Sequence, residues 1–296
     1  MTGEPTADAA RPGHAPTGCG EPVRLGVLGW PVGHSRSPTI QNAALAAAGL
    51  HAWRYQLLPV PPELFAEVAR ALPGAGFIGA NVTIPHKQAA LALADEATAR
   101  ARAIGAANTL TFAAHRDPTH AAISADNTDA PALIAALPFP VADRTALVLG
   151  AGGSARAAVW ALLDAGAAEV RVWNRTVERA RRLCADLGAT PAEFASHPPP
   201  ADLLVNCTTA GLDGGSSFDQ LPVGPGDLDG YAAVADLVYA PSPTTLIARA
   251  RELGIPAIDG LELLIGQGAL SFQRFTGRPA SLDAMRGAVR ATGADS

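Results

Sequence analysis

The chain has 296 residues, a formal net charge of −5, 48% hydrophobic residues and 17% charged ones. That is enough apolar material for a sizeable core and enough length for roughly two domains of about 150 residues. No basic block offers a nucleic-acid footprint, no apolar run is long enough to span a membrane, and three scattered cysteines (Cys19, Cys184, Cys207) form neither a disulfide framework nor a C-x-x-C metal pair.

Residues 1–22 are rich in Gly, Pro, Ala and Thr with no apolar period, which predicts a disordered leader. They lack the basic start and apolar core of a secretory signal, so the expected location is the cytoplasm. From Val23 onward strands alternate with helices. Strands are predicted over 23–28, 53–60, 77–82, 108–112 and 121–124, and helices over 38–49, 61–72, 88–103 and from 129 to 137. Pro138 and Pro140 mark a joint. Beyond it, strands are predicted over 145–150, 169–173, 202–207, 233–239 and 257–259. The helices are placed over 154–165, 175–187, 244–253, 261–275 and 281–291. The alternation implies an α/β fold with mainly parallel βαβ units.

Gly150-Ala151-Gly152-Gly153-Ser154-Ala155-Arg156 follows a strand and opens a helix. Glycines there let the backbone approach a pyrophosphate, and the helix start offers free N–H groups and a positive dipole end. A tight turn without a ligand is the competing reading. The next strand ends in Asn174-Arg175-Thr176, with Arg179 one turn later and no carboxylate at the tip. An NAD site places an acid there for the ribose 2′-OH, whereas an arginine fork suits a 2′-phosphate, so NADP is the expected cofactor. The alternative is that both arginines are solvated.

Of the 22 Lys and Arg residues only Lys87 is a lysine. A lysine ammonium can give up and regain a proton where a guanidinium cannot, so Lys87 is either a chance surface survivor or a working residue. It closes the run Asn81-Val82-Thr83-Ile84-Pro85-His86-Lys87. Ser35 and Ser37, within Gly29-Trp30-Pro31-Val32-Gly33-His34-Ser35-Arg36-Ser37-Pro38, stand two apart at a helix start. They are placed to donate to a carboxylate, or Ser37 is a plain cap. His34 and His86 read as structural, and Cys207 as a small buried thiol.

Taken together, the G-x-P-x-x-H-S-x-S-P start, N-V-T-I-P-H-K, A-N-T, N-T-D, G-A-G-G with N-R-T, and D-G-L-E-L-L-I-G-Q-G resemble the shikimate dehydrogenases from about Arg24 to Gly277. The resemblance implies a discontinuous α/β substrate domain (23–129 and 260–296) hinged to a Rossmann-type NADP domain (130–259). It implies reversible hydride transfer between NADPH and 3-dehydroshikimate, giving shikimate for aromatic amino-acid and chorismate biosynthesis. By matching position, Ser35 and Ser37 hold the substrate carboxylate, and Thr83, Asn108, Asp129, Tyr239 and Gln267 its ring hydroxyls. Lys87 is the proton donor and acceptor with Asp129 beside it. Gly150, Ala151, Gly152, Gly153 and Ser154 cradle the pyrophosphate, Asn174, Arg175, Thr176 and Arg179 the adenosine ribose phosphate, and Leu237 and Gly260 flank the nicotinamide. No metal is implied, and the assembly expected is a monomer or homodimer.

The chain departs from the family pattern at Gln41, Ala99, Ala125, Ala130, Leu237 and Leu264. These leave the lysine–aspartate pair intact. Quinate or aminoshikimate dehydrogenase is the nearest alternative, and an inactive NADP-binding regulator the alternative from another class. The regulator would be expected to lack Lys87 and Asp129.

Overall fold

The computed structural model describes residues 22–113, 121–194, 197–239 and 242–293. The leader read over 1–22 lies outside these residues except for Pro22. Two six-stranded sheets, each flanked by helices, make two lobes.

The first sheet contains β1 (Val23–Gly29), β2 (Trp53–Pro59), β3 (Phe77–Val82), β4 (Glu96–Ala97), β5 (Thr109–Phe112) and β6 (Ile123–Asp126), in the order β2-β1-β3-β5-β6-β4. Its helices are α1 (Ser37–Ala47), α2 (Phe65–Ala71), α3 (Lys87–Leu93), α4 (Ala99–Ile104) and, leading out of the lobe, α5 (Asp129–Ala136). The second sheet contains β7 (Thr145–Leu149), β8 (Glu169–Trp173), β9 (Thr190–Pro191), β10 (Leu203–Asn206), β11 (Ala233–Asp236) and β12 (Ala257–Ile258). Their order is β12-β11-β10-β7-β8-β9, with α6 (Gly153–Asp164), α7 (Val177–Leu187) and α8 (Thr245–Glu252) in the crossovers. The chain then closes with α9 (Gly260–Thr276) and α10 (Leu282–Gly293).

Every pairing in the second sheet is parallel. Strand order reverses between β7 and β10, and an open α/β sheet leaves a crevice at the carboxyl ends of the strands where that happens. The first sheet departs from the parallel expectation, because β5 runs antiparallel to both β3 and β6. The β5–β6 link is too short for a helical crossover, which a parallel pair requires. The single helix expected over 88–103 is two helices, α3 and α4, split by Ala94 in extended conformation and by β4 pairing with β6. Thr98 restarts the helix, its hydroxyl accepting from the Ala101 amide at 3.1 Å. Helix 61–72 opens as a 3-10 turn before α2, and the strands expected over 121–124 and 233–239 sit at Ile123–Asp126 and Ala233–Asp236. The short β9 had no counterpart in the sequence reading.

The return of the chain is clear in the cores. Leu264, Ile265, Phe272 and Phe275 of α9 and Met285 and Val289 of α10 pack with Leu25, Val27, Ile40 and Tyr55 of the N-terminal lobe. The second lobe has its own core around Val148, Val159, Leu162, Val172 and Val205. No helix among the described residues is long and apolar enough to cross a membrane.

Candidate active site

Between the lobes lies a cavity of about 130 Å³. All eight residues expected at the substrate line it: Ser35, Ser37, Thr83, Lys87, Asn108, Asp129, Tyr239 and Gln267. Residues 35 and 37 follow β1, 83 and 87 follow β3, 108 precedes β5, 129 opens α5, 267 lies on α9 and 239 follows β11. Strand ends from both lobes and one returning helix thus converge on one space.

Lys87 is the first residue of α3, and its side chain is 11% exposed. Its Nζ donates to Asp129 Oδ2 at 2.6 Å and to Ser154 Oγ at 2.8 Å. Asp129 is fixed in turn. Asn108 Nδ2 donates to its Oδ1 at 2.8 Å, and Asn127 Oδ1 accepts from the amides of Asp129 and Ala130. A carboxylate at a helix start is favoured by the dipole, and a charge-assisted bond in a shielded site is stronger than in water. Asn108 Nδ2 also lies 3.3 Å from Gln267 Oε1. The Ser35 hydroxyl donates to Ser37 Oγ at 3.2 Å. Ser37 is the first residue of α1, its amide donates to Ser35 Oγ at 3.3 Å, and both serines line the cavity. Burial raises the Tyr239 hydroxyl above its ordinary range, so it stays protonated and can donate.

A second, larger cleft of about 550 Å³ adjoins the first. Ala151, Gly152, Gly153 and Arg179 line it, as expected from the sequence, together with Arg156, Arg182 and Thr209, which the sequence reading did not assign. Gly150 has φ +111°, and a Cβ there would meet the Cys207 carbonyl carbon at 3.1 Å, so only glycine fits. Asn174 borders a small separate pocket with Trp173 and Phe194, its Nδ2 donating to the Thr176 carbonyl. Arg175 and Thr176 are exposed and line neither space. Ser154, expected at the pyrophosphate, lines the inner cavity with Leu237 and Gly260. The cleft fits a phosphorylated dinucleotide: backbone amides at a helix start, three guanidiniums, and no acid at the tip of β8.

Two neighbours were missed. Asn81 donates to the Asn108 carbonyl and accepts from the Tyr55 hydroxyl at 2.8 Å, tying the bottom of the cavity together. It lies in the N-V-T run, where only Thr83 and Lys87 received roles. Asp236, fully buried, accepts from Asn206, Val238 N and Thr244 and so fixes the segment carrying Leu237 and Tyr239. Burial pushes its carboxyl up to about 6. His86 stacks on Phe65 and donates to the Val60 carbonyl, and burial lowers its basicity, as befits a neutral structural residue. Cys207 is half-buried, and desolvation holds its thiol far above the ordinary range.

Three family models match the chain: the shikimate dehydrogenase substrate binding domain over residues 27–110, shikimate / quinate 5-dehydrogenase over 134–210, and the shikimate 5'-dehydrogenase C-terminal domain over 260–290. The shikimate dehydrogenase (NADP(+)) of Paracoccus denitrificans is 43% identical over 291 residues, covering 95% of this chain and 98% of the relative. The shikimate 5-dehydrogenase of Thermus thermophilus, solved in complex with NADP(H) and shikimate, superposes with a TM-score of 0.77 at 36% identity, covering 91% of this chain and 99% of that one. The ligand-free 5-ketofructose reductase of Gluconobacter sp. strain CHM43 superposes at 0.78 with 28% identity, covering 92% and 98%. Matches of this extent run through both lobes and the returning helices, and the chain belongs to the shikimate dehydrogenase family.

Proposed function

We infer that this chain is an NADP-dependent oxidoreductase acting on a CH–OH group, interconverting 3-dehydroshikimate and shikimate on the route to aromatic amino acids. The observation that carries the reading is the Lys87–Asp129 pair, held at 2.6 Å inside a cavity ringed by hydroxyl and amide side chains and open to a glycine-lined cleft. The Gluconobacter neighbour is a reductase of a different ketone, so the fold alone does not choose the substrate. Ser35 and Ser37, presented side by side, favour an acid over an uncharged sugar.

NADPH, when bound, supplies the hydride to the ketone carbon, and NADP+ takes it back in the reverse direction. As the carbonyl oxygen gains negative charge, the Lys87 ammonium stabilises it and hands over a proton. Asp129 keeps the ammonium aimed, and its remaining lone pairs accept a hydrogen bond from a substrate hydroxyl. Thr83, Asn108, Tyr239 and Gln267 hold the ring hydroxyls. Gly150 to Gly153 hold the pyrophosphate, Leu237 and Gly260 flank the nicotinamide, and Arg179, with Asn174, Arg175 and Thr176 beside it, takes the adenosine ribose phosphate.

On the same reading the substrate domain comprises 23–129 and 260–296 and the NADP domain 130–259, a division supported by the separate cores. On this reading the enzyme works in the cytoplasm as a monomer or homodimer, and the net charge of −5 speaks against a nucleic-acid partner.

Mixing the protein with shikimate and NADP+ should raise absorbance at the reduced-nicotinamide band, with NAD+ a much poorer oxidant. Lys87→Ala should lower kcat by about 10²–10⁴ with a smaller change in shikimate KM. No absorbance rise with shikimate, but one with quinate, aminoshikimate or a reduced ketofructose, would reassign the substrate. Near-normal kcat in Lys87→Ala would remove the lysine from the chemistry.

A further inference from the structure

Ser154 stands in the glycine-rich loop, where the expected duty is to hold phosphate. Its hydroxyl does something else. Oγ accepts from Lys87 Nζ at 2.8 Å, and the side chain lines the inner cavity and not the nucleotide cleft. Residue 154 is the second residue of α6, so its backbone N–H stays among the unpaired amides of the helix start while its side chain points the other way.

The approach that allows this bond is built in. A Cβ on Gly153 would lie 2.7 Å from the Lys87 Cβ, so the lysine stem rests directly on the glycine. The residue before Ser154 thus brings α6 of one lobe against α3 of the other.

A lysine ammonium has three N–H donors. Asp129 of the N-terminal lobe takes one and Ser154 of the second lobe takes another, which leaves one for the cavity. The two partners differ in kind. A carboxylate only accepts, so it pairs with Lys87 through an N–H alone, two of which remain after the third proton is surrendered. A hydroxyl rotates: it accepts from an N–H of either form and can also donate to the lone pair of the neutral amine.

We propose that Ser154 is a positioning residue for Lys87, holding Nζ from the cofactor lobe in both protonation states so that the remaining N–H faces the reacting oxygen. The lysine is then fully oriented only when the two lobes are docked. The proposal rests on the reading of Lys87 as the proton donor and acceptor.

The test pairs Ser154→Ala, which removes the hydroxyl, with Ser154→Thr, which keeps it. Ser154→Ala should lower kcat by about tenfold, the scale of one lost bond to a charged group, while NADP+ affinity measured by fluorescence titration changes less than about threefold. Ser154→Thr should recover most of the lost rate. On a Lys87→Ala background Ser154→Ala should cost nothing further, because its effect passes through the lysine.

A second readout needs no turnover. The chain holds one lysine, so 15N-lysine labelling gives a single side-chain ammonium signal. In the protein saturated with NADP+, Ser154→Ala should move that signal and speed its exchange with water, and Ser154→Thr should restore both.

If Lys87→Ala keeps near-normal kcat, the underlying reading of the lysine falls. If Lys87→Ala is crippled but Ser154→Ala leaves kcat and the ammonium signal unchanged, the proposal is overturned. It is equally overturned if Ser154→Ala weakens NADP+ binding at full kcat, or costs as much without the lysine as with it, since Ser154 would then be a phosphate ligand.

Discussion

Arg179 and Arg182 sit one turn apart on α7, and both line the nucleotide cleft, whereas Arg175 is exposed and lines none of it. A guanidinium that meets the 2′-phosphate separates the two nucleotides, because NAD offers only a hydroxyl there. Arg179→Ala should therefore raise the KM for NADP+ by about 10–100-fold, the range of a lost charge-assisted bond, and leave that for NAD+ nearly unchanged. Arg175→Ala should have the smaller effect. The reverse ranking in steady-state kinetics would return the phosphate to the end of β8. At this scale the inner site was legible: Ser35, Lys87, Asn108 and Asp129 were named from short motifs and line one cavity. Arg182 was not, because a basic residue on an amphipathic helix carries no local sign of which face meets a ligand. The bond from Lys87 to Ser154 was not legible for a similar reason: the motif describes the backbone of the loop, and the partner of the side chain is 67 positions away.

At the scale of elements, Asp126 is the fastening of the first lobe. It ends β6 and is 5% exposed. Arg100 of α4 contacts both its oxygens at 2.9 Å, Arg274 near the end of α9 pairs with Oδ2, and the Thr98 hydroxyl donates to Oδ1 at 2.7 Å. One carboxylate thereby joins the N-terminal segment to the helix that returns from the far end of the chain. Burial works to raise the Asp126 carboxyl, but the Thr98 hydroxyl and the Arg274 and Arg100 guanidiniums outweigh it and hold it below its ordinary range. A depressed value in the folded state means the unfolded chain binds the proton more readily, so this contribution is intact above pH 3.8 and lost as pH falls below it. Asp126→Asn should cost about 3 kcal/mol in urea unfolding at pH 7, since two guanidiniums lose their counter-charge. The gap between wild type and variant should narrow toward pH 3, and an equal gap at both pH values would deny the carboxylate its role. The same region shows why element boundaries were harder to read than element order. The alanine-rich stretch from Gln88 to Ala103 favours helix throughout. What interrupts it is tertiary: the Asp95 and Thr98 amides donate to Ile123 and Ala125 carbonyls on the strand beside them.

For the whole molecule, the return of the last helices to the first lobe was legible only through the family resemblance, which the D-G-L-E-L-L-I-G-Q-G run around Gln267 helps to carry. The docking of the lobes was not, since it depends on contacts between residues distant in sequence. Ile104, Ala106, Ala130, Ala157 and Ala161 form a thin apolar seam of mostly small side chains, which lets backbones approach closely but buries little area. Arg156 of α6 reinforces it. Its Nε donates across the seam to the Ile104 carbonyl at 2.7 Å, and its Nη1 pairs with Asp186 of α7 at 2.8 Å. Gly105 makes room, for a Cβ there would lie 2.6 Å from the guanidinium, at a φ of +72° that also favours glycine. Arg156 therefore braces the angle between the lobes as well as lining the cleft. Arg156→Ala should reduce stability by about 2 kcal/mol, enlarge the radius of gyration in X-ray scattering, and raise the KM for NADP+. Those changes alone do not separate a brace from a phosphate ligand. Gly105→Ala does, because it crowds the guanidinium from the opposite lobe without touching the cleft. If it also expands the particle and raises the KM, the lobe angle controls cofactor binding. If scattering and KM stay at wild-type values while Arg156→Ala raises KM alone, Arg156 acts on the nucleotide directly and the seam holds without it.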